Sequence, residues 1–289
     1  MTSSSPKNAQ SDQKEIMHKL SLHHLTMLDA HPLQLVDAAA AGNFDYCGLR
    51  LVAPTAADTI VDVAGNPALV RDLASRLSAT GIQLLDIEAI WLQPSTKIEA
   101  LVPALEAGRT LGAKHVLSVG FDDDRSRLMD NFGRLCEAAA RLDMTVGLEP
   151  ITYCSVGTLP DALSVVAQSG QPNARLLIDA LQFFRSGANS EDLDTIDPAL
   201  LEYIQVCDAP RVAPATVEER RIEARTARCL PGNGELPLRE LLSRLRPDLT
   251  LAVEAPTRAL RGLPFNEQAR QIFSQVRRFL EDIAPATQP

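Results

Sequence analysis

From position 19 onward the chain alternates short apolar runs with longer stretches in which apolar residues recur at helical spacing, and the alternation repeats eight times. The apolar runs fall at 20–25, 46–51, 82–87, 115–119, 145–148, 176–178, 203–206 and 249–253. Each is rich in branched or aliphatic residues, as strands covered on both faces require. The helical-period segments fall at 32–41, 67–80, 98–111, 126–142, 159–169, a short piece near Glu191, 238–245 and 266–283. Pro32 and Pro67 suit first-turn positions, and Gly42 and Gly81 stand where a left-handed residue would end a helix.

Eight strand-helix units with no shift in composition predict an α/β protein, a single (β/α)8 TIM barrel over 19–284, behind a flexible N-terminal leader over 1–18. The leader is rich in Ser, Lys, Asn and Gln and lacks the apolar core of a signal peptide. The first strand runs into Thr26-Met27-Leu28-Asp29 without a glycine, which argues against a dinucleotide-binding sheet. The connection 208–237, between the seventh strand and its helix, is far longer than the roughly 2–6 residues usual for such loops. Long strand-to-helix loops belong to the face where barrels build their active sites.

Composition narrows the partners. Over 289 residues the formal net charge is -9, a field that repels phosphate backbones and anionic bilayers, so neither nucleic acid nor membrane is an expected partner. No apolar run approaches the ~18 residues of a membrane span. The Arg-dense stretch 211–228 is interleaved with Glu218, Glu219 and Glu223 and reads as a local anion or substrate contact, with Arg225 and Arg228 as its candidate substrate-binding residues. Five cysteines, an odd number without a Cys-x-x-Cys pair, point to reduced thiols and a cytoplasmic location.

Four late strands each end in an oxygen donor: Glu149, Asp179, Gln205 and Glu254. On a barrel these positions converge on one mouth, where the carboxylates repel one another and shift upward in pKa unless a cation neutralises them. Two Glu, one Asp and an amide oxygen suit Mn2+ or Mg2+, with Co2+ and Zn2+ as further candidates. Any one of these residues alone reads equally well as a helix cap or a solvent-facing acid; their recurrence at successive strand ends favours a shared polar site. All five histidines lie at or before His115, so the late strands offer no imidazole, and His24 at the first strand end reads as structural more readily than catalytic. Glu88 ends the third strand and either binds substrate hydroxyls or pairs with a loop arginine. Arg50, ending the second, suits a carboxylate or phosphate. Trp91, the single tryptophan, is either a stacking wall or core packing.

The segments Gly147-Leu148-Glu149, Leu177-Ile178-Asp179, Gln205-Val206-Cys207-Asp208-Ala209-Pro210, Leu230-Pro231-Gly232-Asn233-Gly234-Glu235-Leu236 and Val253-Glu254-Ala255-Pro256 together resemble the xylose isomerase-like barrel superfamily, the sugar phosphate isomerase/epimerase group. The resemblance implies that Glu149, Asp179, Gln205 and Glu254 bind the metal and that Glu149 and Glu254 also serve as acid and base. They would move a proton beside the carbonyl of a small keto sugar or polyol-derived hydroxy-ketone through an enediolate. It also implies a small-molecule substrate and a homodimer. Members often carry a substrate-contacting His three residues after the strand-six acid, where this chain has Gln182, and many have His where Gln205 stands. Two alternatives accompany this reading: a dehydratase, in which the same enolate expels water, and a metabolite-binding barrel without catalysis.

Overall fold

Branched and aliphatic runs flanked by helical periodicity build one parallel sheet in the computed structural model, which describes residues 18–283. Apart from His18, the leader expected over 1–18 lies outside the described residues, as does position 284. The strands are β1 (Leu20–Leu22), β2 (Tyr46–Arg50), β3 (Gln83–Leu92), β4 (His115–Gly120), β5 (Thr145–Glu149), β6 (Ala174–Leu176), β7 (Ile178–Asp179), β8 (Tyr203–Val206) and β9 (Thr250–Val253). Their order is β6-β5-β4-β3-β2-β1-β9-β8-β7. β6 and β7 are separated by Leu177 alone, so the sixth strand pairs with β5 through its first half and with β8 through its second, closing the barrel. The chain is a (β/α)8 TIM barrel.

The helices are α1 (Pro32–Ala41), α2 (Pro67–Thr80), α3 (Ile98–Thr110), α4 (Arg125–Ala140), α5 (Leu159–Ser169), α6 (Ala180–Arg185), α7 (Val217–Thr226), α8 (Leu238–Ser243) and α9 (Phe265–Ile283). They cover the outside of the barrel, and the strands are buried on both faces. In β4, Val116 joins the outer apolar layer, whereas Leu117 and Val119 join Leu85, Ala89, Ile151, Leu177 and Tyr203 inside the barrel. Pro32 and Pro67 occupy first-turn positions. Gly81 is left-handed (φ 76°), but Gly42 is not (φ -86°). A Cβ on Gly42 would lie 2.9 Å from the Ala269 carbonyl oxygen, so glycine lets α1 approach α9, and the left-handed residue there is Asn43 (φ 62°).

The structure corrects four element boundaries. The first strand ends at Leu22, and a 3-10 turn covers His24–Met27. The third strand continues to Leu92, so Trp91 lies within it. The sixth helix begins directly at Ala180, capped by the Asp179 carboxylate on the Gln182 amide at 2.9 Å, while the segment near Glu191 is a 3-10 turn, Ser190–Thr195. The long connection 208–237 contains α7, whose start is a reciprocal Thr216–Glu219 capping box.

Candidate active site

β5, β7 and β9 deliver Glu149, Asp179 and Glu254 to one mouth of the barrel, where one oxygen from each lies within 4.8 Å of the others and all three side chains are buried. Burial pushes the Glu149 carboxyl well above the usual range, and the neighbouring Asp179 charge pushes it further. Glu254 is raised by burial as well, against the opposing field of Arg228 and with the added repulsion of Asp179 and Glu149. Gln205 on β8 is in register with Asp179, fully buried, and its Oε1 has no hydrogen-bond partner among the described residues. An amide oxygen without a partner beside three crowded carboxylates is the donor set of a hard divalent cation, and the residues present fit one.

His23, directly after β1, is the functional candidate that pattern reading passed over. Its Nδ1 is 3.0 Å from Glu88 Oε2 and 3.3 Å from Glu254 Oε1, and its Nε2 is 2.9 Å from the Gln205 amide nitrogen. The Gln205 amide nitrogen faces Nε2, which leaves Gln205 Oε1 without a partner, and Nδ1 lies between the two carboxyl groups. Nδ1 also accepts the Leu25 amide at 3.4 Å, capping the 3-10 turn that follows. Burial, then the charges of Arg50 and Arg228, hold the His23 pKa well below the ordinary value, so the ring is neutral. His23 thus sits between the Gln205 amide nitrogen and the Glu88 and Glu254 carboxyl groups.

His24 has the structural role. Its Nδ1 accepts the Arg50 amide at 3.0 Å, its Nε2 donates to the Ala30 carbonyl at 3.1 Å, and burial lowers its pKa to about 4. Glu88 sits behind His23, with Oε1 accepting the His24 amide at 2.9 Å, and its nearest arginine nitrogen is Arg50 Nη2 at 3.9 Å. Burial and the adjacent Asp86 raise the Glu88 carboxyl to about 8.

A cavity of about 260 Å3 opens above the carboxylates, lined by His23, Arg50, Glu149, Gln182, Arg228 and Glu254 among others. Arg228 is built into its floor: Nη1 donates to Asp179 Oδ2, Nη2 lies 3.3 Å from Glu254 Oε2, and Nε donates to the Ala224 carbonyl at 2.7 Å. Arg225 reaches the cavity while pairing with Asp58 at 2.6 Å. Gln182 Oε1 accepts from the Thr152 amide and hydroxyl, each at 3.3 Å. Trp91 is half-buried, lines the cavity and packs against Phe121 at 5.1 Å between ring centroids. Glu149 also faces the cavity and has no hydrogen-bond or ion-pair partner among the described residues.

A family model described as xylose isomerase-like TIM barrel matches residues 36–282. The chain is 26% identical over 154 residues to an inosose isomerase of Bacillus velezensis, an alignment that covers 49% of this chain and 52% of that protein. It therefore spans about half the length of that relative. Among solved structures, the IOLI protein with a bound zinc atom superposes with a TM-score of 0.72 at 20% identity, covering 92% of this chain and 97% of the other. The 3-keto-D-glucoside 4-epimerase YcjR from E. coli superposes with a TM-score of 0.68 at 16% identity, covering 90% of this chain and 99% of the other.

Proposed function

The chain belongs to the xylose isomerase-like TIM barrel family, and on that premise we propose that it is a divalent-metal-dependent isomerase or epimerase of a small hydroxy-ketone. Three buried carboxylates within 4.8 Å of one another, with the unpartnered Gln205 oxygen in register beside Asp179, carry this reading. Crowding of that kind is costly for a barrel that merely binds a metabolite. Glu149, Asp179, Gln205 and Glu254 would hold the cation. Bound there, a divalent cation would keep the carboxylates ionised and polarise a substrate carbonyl, acidifying the adjacent C–H.

The two Glu then divide the proton transfer. Glu149 faces the cavity without a partner, which leaves an oxygen free to take the proton. Glu254 lies between His23 Nδ1, 3.3 Å from its Oε1, and Arg228 Nη2, 3.3 Å from its Oε2, which positions it for returning a proton to the enediolate. Arg50, Glu88, Gln182, Arg225 and Arg228 are the proposed substrate-binding set, with Glu88 acting through His23. Manganese or magnesium as the working metal, a homodimer and a cytoplasmic location complete the reading; five free cysteines support a reducing compartment.

The test is solvent exchange. With Mn2+ in deuterated buffer, D-fructose or inosose should take up deuterium at the carbon beside the carbonyl, and Glu149→Gln or Glu254→Gln should lower that rate by about 10^2 to 10^4. Product mass separates proton return from loss of water. No exchange with any hydroxy-ketone contradicts the proposal.

A further inference from the structure

One wall of the cavity is apolar in a way that polyols do not need. Leu117 and Val119 on β4, Ile151 after β5 and Ala89 on β3 all line it, together with the Trp91 and Phe121 rings. An aromatic face alone would suit the C–H face of a sugar ring. Aliphatic side chains beside it offer hydroxyl groups no partner, and each hydroxyl left against them would lose its hydrogen bonds to water without replacement.

Two cations at the same cavity have no matched counter-ion. Arg50 is 94% buried, its Nε has no hydrogen-bond partner among the described residues, and its one carboxylate neighbour is at 3.9 Å. Arg221, on α7 at the mouth, is exposed, has no carboxylate within ion-pair distance among the described residues, and lies over the Tyr153 ring at 5.5 Å. The neighbouring arginines differ, since Arg225 pairs with Asp58 and Arg228 with Asp179 and Glu254. Arg50 and Arg221 are therefore the cavity guanidinium groups whose charge is least matched by the protein's own carboxylates, and a guanidinium selects planar or tetrahedral anions.

We propose, resting on the isomerase reading above, that the substrate is an anionic hydroxy-ketone with an apolar face, its carboxylate or phosphate met by Arg221 at the mouth and its body laid against Leu117, Val119 and Ile151, with the Arg50 guanidinium buried within the cavity. The reacting carbonyl then lies over Glu149 and Glu254, and the anion beside Arg221 on α7.

The test compares four probes on the Mn2+-loaded full chain, by calorimetric binding and by deuterium uptake: D-fructose and inosose as neutral polyols, D-fructose 6-phosphate as a phosphorylated one, and 3-dehydroshikimate as a carboxylated ring with few hydroxyls. Tighter binding of an anionic probe than of both neutral polyols is expected, and the better of the two anions identifies the source of the charge. Arg221→Gln, an exposed substitution, should weaken the preferred anion about tenfold, leave the neutral probes unchanged, and be partly rescued in Arg221→Lys. Neutral polyols that bind or react better than both anions, or an Arg221→Gln protein with unchanged preference, overturn the proposal. Binding is read separately from exchange, so a chain that binds the anions without exchanging any probe refutes the isomerase reading and not the ligand class. Exchange restricted to inosose or fructose does the reverse.

Discussion

Asp86 and Glu88 stand one turn of the pleat apart inside the barrel, and Gly48 on the neighbouring strand makes room for both. A Cβ at Gly48 would come within 2.4 Å of Asp86 Oδ1 and 2.7 Å of Glu88 Oε1. Asp86 is fully buried and accepts the Tyr203 hydroxyl; burial raises its carboxyl to about 7. In the unfolded chain the same carboxyl loses its proton near its ordinary value, about 3.9. Between those two values the folded state binds the extra proton, so this group favours folding at low pH and its contribution is lost as pH rises toward 7. Asp86→Asn keeps the shape and an acceptor for Tyr203 without a proton to lose. Urea unfolding from pH 4 to pH 8 should therefore show the variant gaining on the wild type as pH rises to about 7 and holding that gain above it. Because His24 and His115, both lowered to about 4 by burial, bias the wild-type curve the other way and are common to both proteins, the difference is the quantity to read. A difference that does not vary with pH would contradict the assignment.

At the scale of elements, α7 is what brings arginines over the cavity, and it is held by ion pairs more than by apolar packing. Only Glu223 and Ala224 of its residues are buried. Arg185 on α6 makes a two-point contact with Glu223 at 2.7 and 2.9 Å, with both side chains nearly enclosed, and Arg225 ties the other flank to Asp58. Removing one partner of such a pair strands a buried charge at a cost of about 3–5 kcal/mol. Glu223→Ala should speed amide hydrogen exchange over 217–226 by about a hundredfold while leaving β4 and β5 unchanged. Uniform exchange rates across the two proteins would show that something else anchors the helix. The same features explain what could be read in advance. The barrel strands were legible because branched residues covered on both faces leave unbroken apolar runs; Glu149, Asp179 and Glu254 were legible because each closes such a run, and Gln205 because it is the polar residue that interrupts one. α7 was not, since Val-Glu-Glu-Arg-Arg-Ile-Glu has no apolar stripe, although Thr216 and Glu219 carried its capping signature. His23 was missed because the first apolar run continues to Leu25, while the backbone leaves the strand at Leu22 and turns His23 towards Glu88 and Glu254.

Taken whole, the molecule crowds Glu149, Asp179, Glu254 and Arg228 at the mouth of the barrel, with Asp86 buried separately against Tyr203 deeper inside. The net charge of -9 is a property of the surface and sets no specificity by itself. What distinguishes this barrel is the mouth, where three carboxylates are only partly offset by Arg228 and an amide oxygen is left over. No helix of the described residues is long and apolar enough to cross a membrane, and the long strand-to-helix excursion with its arginines faces the same mouth. The most direct measurement is the metal content of the purified full chain by plasma mass spectrometry, after incubation with Mn2+ and Mg2+ and exhaustive dialysis, beside Glu149→Gln and Glu254→Gln. Near-stoichiometric divalent metal in the wild type that falls in both variants is the expected result; a wild-type protein that retains none would contradict the metal-dependent site.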